Sequence, residues 1–170
     1  LGESQDVPSM VEVICGSPEI NWVIAGEGLR YSWLKKVKEE RGVTNMTLLG
    51  QKPIEEMPAL LASADGLFLS LGHNPAFSQT VPAKLQTYLA AGKPILGMVD
   101  GETARIVAEA NAGLVSSAGN VAMCIGNAKR ISQLSGAEIT EMGRNGAMYY
   151  WDHYSKKLAM KRITRLLEEK

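Results

Sequence analysis

Short apolar segments rich in β-branched residues alternate with amphipathic stretches along most of this chain, and that alternation constrains the fold more than any other feature. Residues 20 to 25, Ile-Asn-Trp-Val-Ile-Ala, form such a run and end on Gly26, where Gly-Glu-Gly supplies a tight turn. Leu29, Trp33 and Val37 then recur every four residues with Lys35, Lys36, Lys38, Glu39 and Glu40 between them, which predicts a helix stopping at Gly42. The step repeats with a strand over Asn45 to Leu49, a helix marked by Ile54, Met57, Leu60 and Leu61, and a strand over Gly66 to Ser70. Beyond a polar loop come a helix from about Val81 to Ala91, a strand at Pro94 to Met98, a helix after Asp100 and a short strand at Gly113 to Val115.

Strands separated by helices of this length cannot be hairpin neighbours; they run parallel, joined by crossovers that place helices on both faces of a sheet. The pattern therefore predicts a Rossmann-like α/β domain with a parallel sheet. Its first element is a helix, about Asp6 to Ile14, where such a domain ordinarily starts with a strand, so a first strand is expected upstream. From Val121 onward the periodicity is helical only, through Ala128 to Leu134, then Ala137 to Tyr149, then Trp151 to Glu169. The predicted organisation is an α/β domain over residues 1–150 and a separate terminal helix over 151–170.

Composition agrees with a chain that builds a full core. Of 170 residues, 45% are hydrophobic and 21% charged, and lysine plus arginine balances aspartate plus glutamate at 18 each. A neutral balance gives no field for nucleic acid, and no apolar run is long enough to cross a bilayer. Cys15 and Cys124 match no metal or redox spacing and read as reduced core thiols of a cytosolic protein.

Open parallel sheets bind ligands beyond the carboxyl ends of their strands, where helix N-termini offer free amides to anions. Three places qualify. Gly26, Glu27 and Gly28 fit phosphate or sugar approach and fit a structural turn equally well, since Tyr31 stands where a dinucleotide fingerprint needs a third glycine. Gln51 and Lys52, directly after a strand, either read the edge of a base or form a solvated loop. The connection from Ser70 to Gln79 is long for a compact βα unit, and it enters a helix through Thr80-Val81-Pro82-Ala83-Lys84. A proline in the first turn would leave the remaining amides facing the loop, with the mobile charge of Lys84 beside them, a corner that suits a diphosphate. His73 lies in this loop as a lone histidine, which ordinarily is solvated and not an acid or base. No metal-ligand cluster or Ser-His-Asp arrangement emerges from the spacing.

Thr80-Val81-Pro82-Ala83-Lys84-Leu85, followed by Tyr88-Leu89-Ala90-Ala91-Gly92-Lys93-Pro94-Ile95, resembles a motif of retaining GT-B glycosyltransferases, the group 1 family of bacterial polysaccharide-assembly type. Gly2 to Asp6, Val23 to Gly28, Leu49-Gly50, Ala64-Asp65-Gly66 and Asp100-Gly101-Glu102 fall in the same order, so the resemblance spans roughly Leu1 to Asn120. It implies one half of a GT-B fold. In that family this half holds a nucleotide-diphosphate sugar as substrate, with no separate cofactor, while an amino-terminal half holds a glycan or lipid-linked acceptor. The implied activity is hexosyl transfer by the larger protein, with this piece inactive alone, in the cytoplasm or at the inner face of the membrane. The last helix, with Trp151, Tyr154 and Leu158 on one stripe and Lys156, Lys157, Lys161, Arg162 and Arg165 opposite, resembles the element that crosses between the halves; it would dock on the core or lie on anionic lipid. The resemblance assigns nucleotide-sugar contacts to Gly26, Glu27, Gly28, Gln51, Lys52, Gln79, Thr80, Val81, Lys84 and Thr87, and stabilisation of the departing diphosphate to Lys84.

One departure stands out. The family carries two glutamates eight positions apart, and Gln79 and Thr87 occupy those places. A single hydroxyl at Thr87 would grip a ribose less firmly than a carboxylate. That opens a second reading, a non-catalytic binding or scaffold module of the same fold; an epimerase half fits the motif less well.

Overall fold

The computed structural model describes residues 1–155 together with Leu158, Met160 and Thr164. Its strands are β1 (Trp22–Ala25), β2 (Met46–Gly50), β3 (Leu67–Ser70), β4 (Ile95–Met98) and β5 (Gly113–Ser116). The helices are α1 (Val7–Gly16), α2 (Tyr31–Glu40), α3 (Met57–Ser63), α4 (Pro75–Ser78), α5 (Ala83–Ala91), α6 (Gly101–Glu109), α7 (Val121–Ser132) and α8 (Gly136–His153). All strand pairings are parallel, as the alternation predicts.

The strands form two sheets, where the sequence pattern predicts one. β1 pairs with β2, and β3, β4 and β5 pair in that order. β1 and β3 each keep an edge that no other described strand pairs, and between them Trp22 meets Phe68 edge-on, with ring centroids 5.4 Å apart.

Both faces of the second sheet are covered, which is why β4 is buried at every residue. Strand alternation sorts the side chains: Leu69, Ile95 and Val99 face a cluster with Leu85 and Leu89 of α5 and Ile106 and Val107 of α6. Phe68, Leu96 and Met98 face the other way, onto Val13 of α1 and Cys124, Ala128 and Ile131 of α7. A third cluster joins Val7, Val11 and Ile14 of α1 to Leu34 of α2 and Met46 of β2. Cys15 and Cys124 are both free thiols; burial pushes the Cys124 thiol up to about 11, which leaves it protonated and inert.

Local chemistry sets the ends of these elements. Asn45 sends its side-chain amide to the carbonyls of Ile14, Ser17 and Ile20 at 3.0, 3.0 and 3.1 Å, so one residue closes the turn from α1 into β1. Its own carbonyl accepts from the Trp22 amide at 2.8 Å. Asn45→Ala leaves these carbonyls short of a donor and is expected to cost about 2 kcal/mol in urea unfolding. α8 opens on a reciprocal capping box between Ser135 and Glu138 and runs to His153 without interruption. The break therefore falls at Tyr154 and Ser155, four residues later than the periodicity places it; Tyr150 and Trp151 continue the helix edge-on to each other. Most of the predicted terminal helix, including its basic side, lies outside the described residues. Within them Tyr154 packs on the α5–α6 cluster, while Trp151 is exposed.

Candidate functional site

The carboxyl ends of the five strands gather most of the residues singled out from sequence. Pairing of β1 with β2 brings two of the predicted loops together: the Gly26 amide donates to the Gly50 carbonyl at 2.7 Å. Glu27 and the hydroxyl of Tyr31 both come within 3.5 Å of where a Cβ on Gly50 would sit, so Tyr31, in the place of a third fingerprint glycine, bridges the loops.

The two glycines of the turn then differ. Both have positive φ, 110° at Gly26 and 150° at Gly28. Around Gly26 nothing lies within 4 Å of a hypothetical Cβ, which leaves an approach open to a ligand. At Gly28 a Cβ would stand 2.5 Å from the Leu1 carbonyl oxygen, so Gly28 makes room for the chain's own backbone. Leu1 is tied down on both sides, its nitrogen donating to the Glu27 carbonyl at 2.7 Å and its carbonyl accepting from the Arg30 amide at 3.4 Å. Three residues on, the Ser4 carbonyl accepts from the Gly72 amide at 2.9 Å, so the first residues stitch the β1 turn to the loop after β3. In the β2 loop Gln51 is exposed, and Lys52 lies 3.5 Å from Glu56, an ion pair one helical turn on.

The stretch after β3 contains a helical turn that the polar composition conceals. Asn74 caps it by accepting from the Ala76 amide at 2.9 Å, and Pro75 occupies its first position, so α4 forms within the expected loop. α5 then begins at Ala83, two residues later than predicted. Proline disfavours helical backbone in the residue before it, so Val81 stays outside the helix and packs on the core, and Pro82 is the N-cap with an extended ψ of 142°.

No side chain caps α5, so the first-turn amides at Ala83 and Lys84 carry no side-chain acceptor. Lys84 is exposed, yet the atoms crowding its ammonium group lower its pKa from the ordinary lysine value by desolvation. Thr80 is held below by Thr103, a fully buried residue whose hydroxyl donates to the Thr80 carbonyl at 3.2 Å; the Thr80 hydroxyl donates to Phe77. Gln79 is exposed at the end of α4. Thr87 donates its hydroxyl proton to the Ala83 carbonyl at 3.2 Å, which leaves only oxygen lone pairs for a ligand.

A second group was not legible in the sequence. Asp100, at the end of β4, accepts from Nδ1 of His73 at 3.0 Å and from the Ala118 amide at 3.1 Å, fastening the loop after β3 to the loop after β5. His73 is thus oriented by a carboxylate, where the sequence suggested a merely solvated histidine. Together with Asn74, Pro75 and Ser117 these residues line a cavity of about 470 Å3. The strand-end position of Asp100, directly before a glycine and a new helix, was the available signal. Among the described residues no three His, Cys, Asp or Glu side chains gather as a metal site would require, and no helix is long and apolar enough to cross a membrane.

The comparisons with known proteins follow the same geometry. Staphylococcus aureus TarM, solved as a mutant in complex with fondaparinux, α-GlcNAc-glycerol and UDP, superposes with a TM-score of 0.82 at 12% identity, over 98% of this chain and 33% of that one. HepE of Anabaena, solved with UDP, gives 0.78 at 14% identity, over 100% and 47%. WaaG, a glycosyltransferase involved in lipopolysaccharide biosynthesis, gives 0.72 at 18% identity, over 94% and 42%. The chain spans between a third and a half of these structures, and at such identities they show a shared fold. No curated protein sequence matches it. The model of the glycosyl transferases group 1 family matches residues 9–148, which takes in every strand and all but the last turns of α8, and the chain belongs to that family.

Proposed function

We propose that this chain is the donor-binding half of a glycosyltransferase, holding the diphosphate of a nucleotide sugar at the start of α5. The observation that carries this reading is the uncapped first turn of that helix, with Lys84 on it. Unsatisfied amides carry partial positive charge, and a diphosphate supplies the acceptors they lack. In the reaction the bond from the anomeric carbon to the diphosphate oxygen breaks, and the leaving group takes the electron pair; Lys84 and the amides of Ala83 and Lys84 neutralise that charge as it develops. Gly26 and Gln51, on the loops joined by β1 and β2, stand at the same end of the strands and suit the remainder of the nucleotide. The family, and the presence of UDP in the TarM and HepE structures, support a nucleotide-sugar partner.

The finer assignments belong to the same proposal. The transferred group is a hexosyl unit, the acceptor a glycan or lipid-linked saccharide held by an amino-terminal half, and the setting is bacterial polysaccharide assembly at the cytoplasmic face of the membrane. The 170-residue chain binds but does not transfer. The unpaired edges of β1 and β3 support a further parallel strand between the two sheets. A second reading, a binding module without catalysis, is favoured by one observation: Thr87 stands where the family has a glutamate, and its proton is already spent on Ala83.

Calorimetric titration with UDP and other nucleoside diphosphates tests the proposal. Lys84→Ala is expected to weaken binding by about ten- to a hundredfold, the worth of a charge-assisted contact. Because its pKa is lowered, the ammonium is lost earlier than in an ordinary lysine as pH rises, so affinity is expected to fall on the alkaline side in the parent chain and not in Lys84→Ala. Thr87→Glu is expected to tighten binding through the ribose; unchanged affinity contradicts the alignment of that contact. No binding by any nucleoside diphosphate contradicts the donor reading.

A further inference from the structure

Thr80 leads the chain into the diphosphate corner, standing directly before Val81 and the capping Pro82. Each of its polar groups is committed. Its amide and its hydroxyl both donate to the Phe77 carbonyl at 3.3 Å, and its carbonyl accepts from the Thr103 hydroxyl at 3.2 Å. The Phe77 bonds close a local turn. The Thr103 bond instead ties Thr80 to α6, 23 residues away in sequence.

Thr103 is fully buried in the first turn of α6, a helix whose Ile106 and Val107 belong to the apolar core. A hydroxyl has one proton, and a helical threonine can spend it on the carbonyl four residues back in its own helix. Here the proton crosses to Thr80. The start of α6 is itself held in place: Gly101 lies so close to the Ser78 backbone that no Cβ fits, and Asp100 accepts from His73 at 3.0 Å and from the Ala118 amide at 3.1 Å. The first turn of α6 therefore seats the connection from His73 to Thr80 on a fixed base, and Thr103 is its contact nearest the corner in sequence.

Removing that hydroxyl would leave the Thr80 carbonyl without its donor, and a carbonyl in that state turns toward water. Thr80, Ala83 and Lys84 are all exposed, so the oxygen would swing to the solvent side, where its partial negative charge opposes an anion. The amides that follow would lose their aim, and hydrogen bonds weaken steeply with angle.

We propose that Thr103 is a positioning residue for diphosphate binding: its buried hydroxyl holds the Thr80 carbonyl inward and fixes the direction in which Ala83 and Lys84 present their amides. The inference rests on the reading of the α5 corner as the diphosphate site, and adds to it a residue that touches no ligand.

The test is calorimetric titration of the whole chain with UDP and UMP, comparing Thr103→Val, which keeps the shape and loses the hydroxyl, with Thr103→Ser, which keeps the hydroxyl and loses a methyl. Thr103→Val is expected to bind UDP about tenfold more weakly than the parent and UMP within about twofold of it, because the corner reads the phosphate that UMP lacks. Thr103→Ser is expected to bind UDP within about twofold of the parent. A packing role predicts the reverse order, since serine leaves a void that valine fills. Unchanged UDP affinity in Thr103→Val overturns the proposal and leaves the donor reading standing, as do equal losses for UDP and UMP. A tenfold loss in Thr103→Ser, on the order of that expected for valine, overturns it too, and that variant decides alone where valine prevents folding. A parent chain that binds no nucleoside diphosphate retires the donor reading and this inference with it.

Discussion

Gly101→Ala destabilises the chain by about 4 kcal/mol, read as a drop in the urea midpoint at constant slope. Two effects add. Gly101 opens α6 at φ 63°, where an L side chain costs about 1–2 kcal/mol. A Cβ there would also stand 2.0 Å from the Ser78 carbonyl oxygen and 2.6 Å from the Ser78 carbonyl carbon. These are backbone atoms, which cannot swing aside as a side-chain tip can, so the last residue of α4 must move, at a further cost of up to about 3 kcal/mol. The displacement also carries the wall of the cavity framed by Asp100. Gly126→Ala is the matching control: that glycine lies inside α7 with nothing within 4 Å of its Cβ position, so the change is expected to stabilise by about 1 kcal/mol. A similar loss at both positions would show that the collision with Ser78 is not the cause.

Gly143→Ala is expected to cost about 3 kcal/mol for a different reason. Gly143 lies within α8, where alanine is preferred to glycine by about 1 kcal/mol. Against that gain, a Cβ would stand 2.0 Å from the Gly92 carbonyl oxygen and 3.3 Å from the Lys93 nitrogen, at the point where α5 ends and turns toward β4. α8 must then lift from α5, and the packing of Tyr149, Tyr150 and Tyr154 against the α5–α6 cluster loosens. Overpacking against backbone exceeds the propensity gain several-fold. Thermal unfolding followed at the tyrosines checks this; a neutral or stabilising outcome would mean that α8 does not press on α5 as described.

Much of this architecture was legible because local pattern and tertiary environment agree. The alternating runs at Trp22, Met46, Leu67, Ile95 and Gly113 became parallel strands, and β4 carries no polar side chain because helices cover both its faces. Where the reading failed, a specific residue had a partner that spacing cannot reveal. Asn74 and Pro75 start a helical turn inside a segment whose composition reads as loop. Pro82 was taken as a first-turn residue, yet its effect on Val81 pushes the helix start back to Ala83. Gly28 admits the backbone of Leu1, a close approach that its place in a glycine turn does not reveal. Asp100 meets His73 and Ala118 only through the parallel order of β3, β4 and β5, so the frame of the cavity could not be read along the chain.

The candidate site is legible in the sequence as a corner and not as contacts. Thr80 to Lys84 was readable from its motif, but the commitments of the hydroxyls were not: Thr80 bonds Phe77 and Thr87 bonds Ala83, which removes two donors a ligand would otherwise have met. What remains for a diphosphate is the pair of uncapped amides and Lys84, and the donor reading rests on them. Backbone 15N NMR of the chain titrated with UDP interrogates those amides directly. The account predicts that the largest saturable shifts fall on Ala83 and Lys84, with smaller ones at Gly26 and Gln51; UDP that binds while leaving the Ala83 and Lys84 amides unmoved would contradict it.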